Sequence, residues 1–141
     1  ERFSQLSTAR RLKVGACVVK DHRIISIGYN GTPSGWDNNC EHRKTLPEGE
    51  VGSYLYEDGS SYNLITKDEV IHAESNAISK LAGSHETGVG SSIFCTHSPC
   101  IQCAKQIYAT GISTAYYRVL YRDDIGLQFL ERCGVETHQV L

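Results

Sequence analysis

The sequence predicts an α/β fold, a three-layer α/β/α sandwich around a mixed sheet of about five strands. Early in the chain, two apolar runs separated by a tight turn indicate an antiparallel hairpin. Later, strand-like and helix-like segments alternate, which requires parallel strands joined by crossover helices. The length of 141 residues suits one compact domain, and no repeat or linker divides residues 1–141.

The first half of the chain supplies one helix, a hairpin and two loops. A helix is predicted over residues 3–12, a β-branched strand over 14–20 and its hairpin partner over 24–29. Residues 30–39 are rich in turn formers. Residues 40–67 are polar, glycine-punctuated and without a clear period. Because such a stretch is too long for an idle connection, we expect it to line or cover a site.

The second half of the chain alternates helices and strands. The apolar side chains of the first helix fall on one side, and Gly83 ends it. Pro99 and Gly111 bracket the second helix in the usual order. The predicted helices are 71–81, 99–110 and 123–132, and the predicted strands are 92–96, 112–120 and 135–140.

Composition excludes several classes of protein. The net charge is −2 without a basic run, so a nucleic-acid polymer is not an expected partner. We expect no membrane segment, since no apolar run approaches about 18 residues, and no signal peptide opens the chain. Among six cysteines, Cys17, Cys95 and Cys133 lie in apolar segments and are interpreted as buried thiols. The expected location is a reducing cytoplasm, or that of a host cell if the protein is viral.

Two motifs carry the chemistry, and each lies where a strand feeds a helix. One is His72-Ala73-Glu74, and the other is Pro99-Cys100-Ile101-Gln102-Cys103. Cys100 and Cys103 are three apart at a helix start, which directs both sulfurs to one side and favours their thiolates. With His72 they provide three protein ligands, which leave one open position on a tetrahedral zinc, as catalytic sites do.

This ligand set predicts a hydrolytic reaction. A water in the open position has its pKa lowered towards about 7, which gives hydroxide at neutral pH. Glu74 lies two residues past His72 and can move the water proton to a ring nitrogen and then to leaving ammonia. H-x-E followed by P-C-x-x-C is typical of zinc nucleobase deaminases. A redox Cys-x-x-Cys remains an alternative on spacing alone.

Several segments resemble the deoxycytidylate (dCMP) deaminases. Residues 28–35, Gly-Tyr-Asn-Gly-Thr-Pro-Ser-Gly, are similar to the glycine loop of that family, and residues 13–19, 72–78 and 117–121 also look like it. The free-nucleoside cytidine deaminases generally carry Cys where this chain has His72. The resemblance covers almost the whole chain and implies deamination of dCMP to dUMP and ammonia, a step of pyrimidine nucleotide synthesis.

The resemblance also implies a set of substrate contacts. Asn30 would bind the deoxyribose, and the backbone of Ala73 together with Glu74 would read the cytosine edge. Ser98 and Tyr121 would border the base and the 5′-phosphate. No motif fixes the groups that neutralise the phosphate, for which the candidates are Arg23, Arg118 and Arg122.

Regulation and assembly are implied by the same resemblance. The family is typically a homohexamer that dCTP activates and dTTP inhibits, each triphosphate carrying Mg²⁺. The effector site would lie near Asn30, Gly31 and Gly35, although these residues could simply form a tight turn. Cys40 and His42 are a spare pair that could bind a second metal.

Two other functions remain open at this point. A tRNA or polynucleotide deaminase would need a basic channel and stacking aromatics. Tyr54, Tyr56 and Tyr62 could stack, yet Glu57 and Asp58 accompany them. A non-catalytic, zinc-stabilised binding module would need a fourth protein ligand and no role for Glu74.

Overall fold

The computed structural model describes residues 1–141 and is built around a five-stranded sheet. In chain order the elements are a 3-10 helix (Arg2–Leu6), β1 (Gly15–Lys20), β2 (Arg23–Tyr29), β3 (Glu41–Thr45), β4 (Tyr54–Leu55), β5 (Ser61–Thr66), α1 (Ala73–Ala82), β6 (Ser92–His97), α2 (Ile101–Ala109), β7 (Thr114–Val119), α3 (Ile125–Arg132) and β8 (Glu136–Gln139).

The main sheet is mixed, with the strand order β2-β1-β6-β7-β8. Strand β1 pairs antiparallel with both β2 and β6, whereas β6, β7 and β8 are mutually parallel. Asp21 and His22 both have positive φ at the β1–β2 turn, a conformation that matches the twist of a two-residue hairpin. The predicted α/β fold, with an early hairpin and later crossovers, is confirmed.

The three α-helices share one hydrophobic core on one face of the sheet. Val18, Ile93 and Ala115 stand opposite one another on neighbouring strands and therefore point to the same face. Leu81 of α1, Ile107 of α2 and Leu130 of α3 belong to the same buried cluster, which is completed by Ala16, Ala73, Ala77, Cys95, Ala104, Ile112 and Val135.

The other face of the sheet is covered differently from our expectation. The 3-10 helix lies against it, so close that a Cβ on Gly15 would be 2.5 Å from the Ser4 nitrogen. The predicted helix over residues 3–12 is wrong, because only Arg2–Leu6 are helical. The Arg10 and Arg11 amides donate to the Glu41 carboxylate at 2.9 and 3.0 Å instead of to carbonyls of a helical turn.

Residues 40–67 form a second, three-stranded antiparallel sheet in the order β3-β5-β4. The sequence concealed these strands because β3 is polar and mostly exposed, and β5 is partly buried but has no regular alternation of apolar and polar residues. Glu41, Ile65 and Thr66 line a large cavity, which confirms that this stretch lines a site.

All three α-helices begin two residues later than predicted, α3 at Ile125. Helix α1 begins at Ala73 and α2 at Ile101, so that His72 and Cys100 are the N-cap residues. The longest helix has ten residues, and no helix meets the length and hydropathy needed to span a bilayer.

Candidate metal centre and nucleotide cavity

The two motifs converge at the N-termini of α1 and α2. The His72 Nδ1 atom lies 3.6 Å from the Cys100 sulfur and 3.5 Å from the Cys103 sulfur. All three potential ligand atoms lie within 4.8 Å of one another. Residues 28 or more positions apart in the sequence are thus brought to one point by the β-α crossovers.

These distances fit a zinc ion. Zinc bonds of about 2.3 Å to sulfur and about 2.05 Å to nitrogen, at tetrahedral angles, separate the two ligand atoms by about 3.6 Å. No fourth His, Cys, Asp or Glu completes the group. Three protein ligands with an open fourth position are the arrangement of a catalytic zinc rather than a structural one.

Cys40 and His42 do not form a second group of this kind. The Cys40 side chain is fully buried and lies 3.6 Å from the Thr8 hydroxyl. His42 is exposed on the second sheet. The chain therefore has one candidate metal centre, at the three residues that the sequence motifs specify.

The electrostatics of the cluster favour an anionic sulfur at Cys100. Hydrogen bonding to Cys103 and to His72 lowers the pKa of Cys100 to about 3. The hydrogen bond between Cys100 and Cys103 raises the pKa of Cys103. The hydrogen bond between Cys100 and His72 raises the pKa of His72. A site that holds a negative sulfur beside a second thiol and an imidazole is suited to bind a divalent cation.

Glu74 lies beside the cluster and is almost inaccessible to solvent. Its side chain is 4% exposed, and its Oε2 accepts a hydrogen bond from the Cys103 sulfur at 3.7 Å. Burial raises the pKa of the Glu74 carboxyl. The residue therefore stands next to the ligands in an environment where protonation of a carboxylate is made easier.

Close backbone contacts hold the two helix starts in place. A Cβ on Gly28 of β2 would lie 2.1 Å from the Ala73 oxygen, and one on Gly126 of α3 would lie 2.1 Å from the Pro99 oxygen. Gly31 and Ile71 exchange two backbone hydrogen bonds of 3.2 and 2.9 Å. His72 is thus anchored by β2 and the loop that follows it, and Cys100 is anchored by α3.

A cavity of ≈ 750 Å³ opens beside the cluster. Eight of the candidate site residues named from the sequence line it: Asn30, His72, Ala73, Glu74, Ser98, Cys100, Tyr121 and Arg122. Gly31 and Gly35 do not line the cavity, although Gly31 directly follows Asn30. Gly35 lies in the following turn with φ of +86°, where a glycine is favoured.

Three of the cavity residues are held by specific hydrogen bonds. Asn30 accepts from the Val14 amide and donates to the Leu12 carbonyl, both at 2.8 Å. The Ser98 hydroxyl is 2% exposed and accepts the Tyr121 amide at 2.8 Å. These bonds fix the cavity wall, and Asn30 keeps one amide hydrogen and one lone pair for a ligand.

Only one of the three candidate phosphate-binding arginines is near the cavity. The Arg122 guanidinium lines it and lies 4.9 Å above the Tyr121 ring. Arg23 pairs with Glu86 at 3.1 Å, and Arg118 pairs with Glu1; neither lines the cavity. Arg11, Lys67 and Glu41 also line it and were missed, because in a polar stretch or beside other charges they resemble ordinary surface residues.

Comparison with known proteins agrees with this geometry. The family model for the cytidine and deoxycytidylate deaminase zinc-binding region matches residues 2–119. ComE operon protein 2 of Bacillus subtilis is 37% identical over 135 residues, which cover 95% of this chain and 63% of that protein. The deoxycytidylate deaminase of Saccharomyces cerevisiae is 34% identical over 134 residues, which cover 94% of this chain and 39% of the yeast enzyme.

A solved structure is similar over nearly the whole chain. The dCMP deaminase of cyanophage S-TIM5, crystallised in complex with dCMP and dUMP, superposes with a TM-score of 0.80 at 44% identity. The match covers 99% of this chain and 89% of the phage chain. Since the family model spans most of the sequence and its zinc-binding residues converge in space, the chain belongs to the cytidine and deoxycytidylate deaminase family.

Proposed function

We propose that the protein hydrolyses dCMP to dUMP and ammonia. The observation that carries this proposal is the convergence of His72, Cys100 and Cys103 beside the buried Glu74 in a cavity of ≈ 750 Å³. A cavity of this size lies within the range of about 300–1,000 Å³ found for small-molecule sites. The yeast and cyanophage relatives, which are deoxycytidylate deaminases, support dCMP as the substrate.

The residues of the site divide the chemistry between them. A zinc ion held by His72, Cys100 and Cys103 would supply a Lewis acid that lowers the pKa of water to about 7. Glu74 would take one proton from the water and deliver it to N3 of the cytosine, where it stays in the product, and would then carry the second proton, from the new C4 hydroxyl, to the departing amine. The raised pKa of Glu74 suits this role, because the carboxyl must hold the proton between two transfers.

The remaining contacts orient the nucleotide. The backbone of Ala73 and the Glu74 side chain read the cytosine edge, and Ser98 and Tyr121 border the base. Asn30 uses its free amide hydrogen or lone pair on the deoxyribose. Among the three candidate arginines, Arg122 is the one placed for the 5′-phosphate, because it lines the cavity whereas Arg23 and Arg118 pair elsewhere.

The test measures ammonia release from a panel of deoxycytidine, dCMP, dCTP, a cytosine-containing oligonucleotide and an adenosine-containing tRNA stem-loop. Wild-type protein with one zinc per chain is expected to prefer dCMP. Glu74→Ala should keep zinc and folding but lose turnover, while Glu86→Gln, in a surface pair with Arg23, should match wild type. If dCMP is not turned over, the proposal fails; if Glu74→Ala still turns it over, the proton-transfer role is wrong.

A polynucleotide substrate is disfavoured by the placement of the aromatic residues. The Tyr62 ring stacks on Tyr54 at 5.3 Å and meets the Tyr56 ring at 4.5 Å in a tilted arrangement, and the Arg43 guanidinium lies 4.9 Å from the Tyr62 ring. These rings contact one another and do not line the cavity. They therefore offer no stacking platform that continues from the metal centre, as single-strand binding would require.

Regulation belongs to the same proposal: dCTP with Mg²⁺ activates, dTTP with Mg²⁺ inhibits, and the active form is a homohexamer. Its support is the family-like loop 28–35 and the pair of hydrogen bonds that join Gly31 to Ile71, the residue before His72. An effector bound near Asn30, Gly31 and Gly35 would thus contact a loop that is hydrogen-bonded to the residue next to the metal ligand His72. Sigmoidal dCMP kinetics, lowered by dTTP and restored by dCTP, are expected, with the hexamer measured by light scattering. Flat responses to both triphosphates would remove the regulatory part alone.

A further inference from the structure

One buried carboxylate in the cavity wall has an unused oxygen. Glu41, the first residue of β3, is 1% exposed and lines the same cavity as the metal ligands. Its Oε1 accepts the amides of Arg10 and Arg11 at 2.9 and 3.0 Å. Its Oε2 is buried and has no hydrogen-bond partner. Leaving such an atom without a donor is costly, so a donor is expected to reach it when the site is in use.

The protein itself provides only a weak partner for this oxygen. The Arg10 Nε lies 3.6 Å away, beyond hydrogen-bond distance, and that side chain is half exposed. The arginine thus offsets part of the charge without supplying a directed donor. The two amide bonds to Oε1 meanwhile hold the carboxylate in one orientation, which is a property of binding groups that are preorganised.

We propose that Glu41 binds the 3′-hydroxyl of the substrate deoxyribose through Oε2, an inference that rests on the proposed function. A carboxylate accepts hydrogen bonds and repels phosphate. The nucleotide dCMP offers two kinds of donor, the 4-amino group and the 3′-hydroxyl. The amino group must lie at the metal centre beside Glu74, so the 3′-hydroxyl is the donor left for Glu41.

The position of Glu41 agrees with this assignment. Its carboxylate is bonded to the amides of Arg10 and Arg11, and the next residues, Leu12 and Val14, hold the Asn30 side chain. One short stretch of backbone therefore positions two cavity residues that can bind a sugar. Glu41 then acts as a specificity residue as well, because a nucleotide inside a strand carries a 3′-phosphodiester, which has no donor and bears a negative charge. In a site shielded from water, that repulsion is strong.

The experiment compares three substrates: dCMP, 2′,3′-dideoxycytidine 5′-monophosphate, and deoxycytidine 3′,5′-bisphosphate. Values of kcat/KM are measured with zinc-loaded, full-length wild type, Glu41→Gln and the surface control Glu86→Gln. In wild type and in the control, loss of the 3′-hydroxyl should lower kcat/KM by roughly 10- to 100-fold, the range for a hydrogen bond to a charged group. In Glu41→Gln the same loss should cost only about 2- to 10-fold, the range for a neutral hydrogen bond, because the amide can still bond the hydroxyl but carries no charge.

The bisphosphate gives a response of opposite sign. Glu41→Gln removes the negative charge and adds an amide donor, so its activity on the bisphosphate relative to dCMP should rise at least about tenfold over wild type. If Glu41 had a purely structural role, Glu41→Gln would lower kcat/KM for all three substrates by the same factor and leave their ratios unchanged. That result would overturn the proposal.

Three further outcomes are decisive. If Glu41→Gln does not fold, judged by circular dichroism and zinc content, the wild-type ratio of dCMP to the dideoxy substrate decides, and a ratio near one overturns the inference. If wild type deaminates dCMP without any dependence on the 3′-hydroxyl, only the role of Glu41 is lost. If wild type does not deaminate dCMP, the proposed function fails with it.

Discussion

Gly28→Ala tests whether the fit between β2 and α1 determines the metal centre. The added Cβ would lie 2.1 Å from the Ala73 oxygen and 2.5 Å from the Ala77 nitrogen. Both neighbours are backbone atoms, which cannot rotate away as a side chain can. Since carbon atoms in contact lie about 3.5 Å apart or more, the start of α1 must retreat by about 1 Å.

The expected cost follows from that displacement. Overpacking of this kind destabilises a domain by about 1–3 kcal/mol, which lowers the melting temperature by roughly 3–10 °C at this size. The same shift moves His72 and Glu74 relative to Cys100 and Cys103. A misplacement of about 1 Å in a catalytic site can lower turnover by about 100-fold.

The assay combines urea denaturation with zinc affinity and ammonia release. Gly83→Ala is the matched control, because its Cβ would meet only the Lys80 oxygen at 3.8 Å and its φ is −93°. The control should lie within about 0.5 kcal/mol of wild type. If Gly28→Ala also keeps wild-type stability, zinc affinity and turnover, the contact does not control the position of α1 and the reasoning is refuted.

Other predictions concern the second ligand pair, the cavity wall, the core and the metal. Gly126→Ala, whose Cβ would meet the Pro99 oxygen at 2.1 Å, should weaken zinc binding by displacing the Cys100 segment, as metal titration will show. Ser98→Ala leaves the Tyr121 amide without its acceptor and should cost about 1–3 kcal/mol in denaturant unfolding. Ile107→Ala, fully buried, should cost about 2–5 kcal/mol by the same measurement. Chelation should abolish ammonia release, and added zinc should restore it; activity that survives chelation would exclude a metal role.

Much of the fold and the metal centre could be predicted because their signals are local. Apolar β-branched runs predict β1 and β2, and the pair Pro99 and Gly111 predicts the ends of α2. The structure forms a strand or helix at each of these segments. The metal ligands were equally accessible, since His72 and the Cys100–Cys103 pair lie at helix starts that the alternation of strands and helices places at one edge of the sheet.

The features that the sequence concealed depend on contacts between distant segments. Residues 7–12 read as helical, yet the Arg10 and Arg11 amides bond to Glu41, some thirty positions away. In the second sheet β3 is polar and mostly exposed and β5 lacks a regular apolar alternation, so neither strand gives a periodic signal. Glu41 itself looks like a surface charge in the sequence, and only its burial and its unpartnered oxygen distinguish it.

The metal centre joins two parts of the fold that are clamped separately. Gly28 and Gly31 fix His72 against β2 and its following loop, while Gly126 fixes Cys100 against α3. A zinc ion bound across them would therefore stabilise the same relative placement that the glycine contacts impose. The glycine contacts and the zinc ion therefore both stabilise the same relative placement of the His72 and Cys100 segments. Their contributions to the free energy of unfolding should not be additive. The stability lost in Gly28→Ala should be smaller when zinc is removed from both proteins, and equal losses with and without zinc would show that the clamp and the metal are independent.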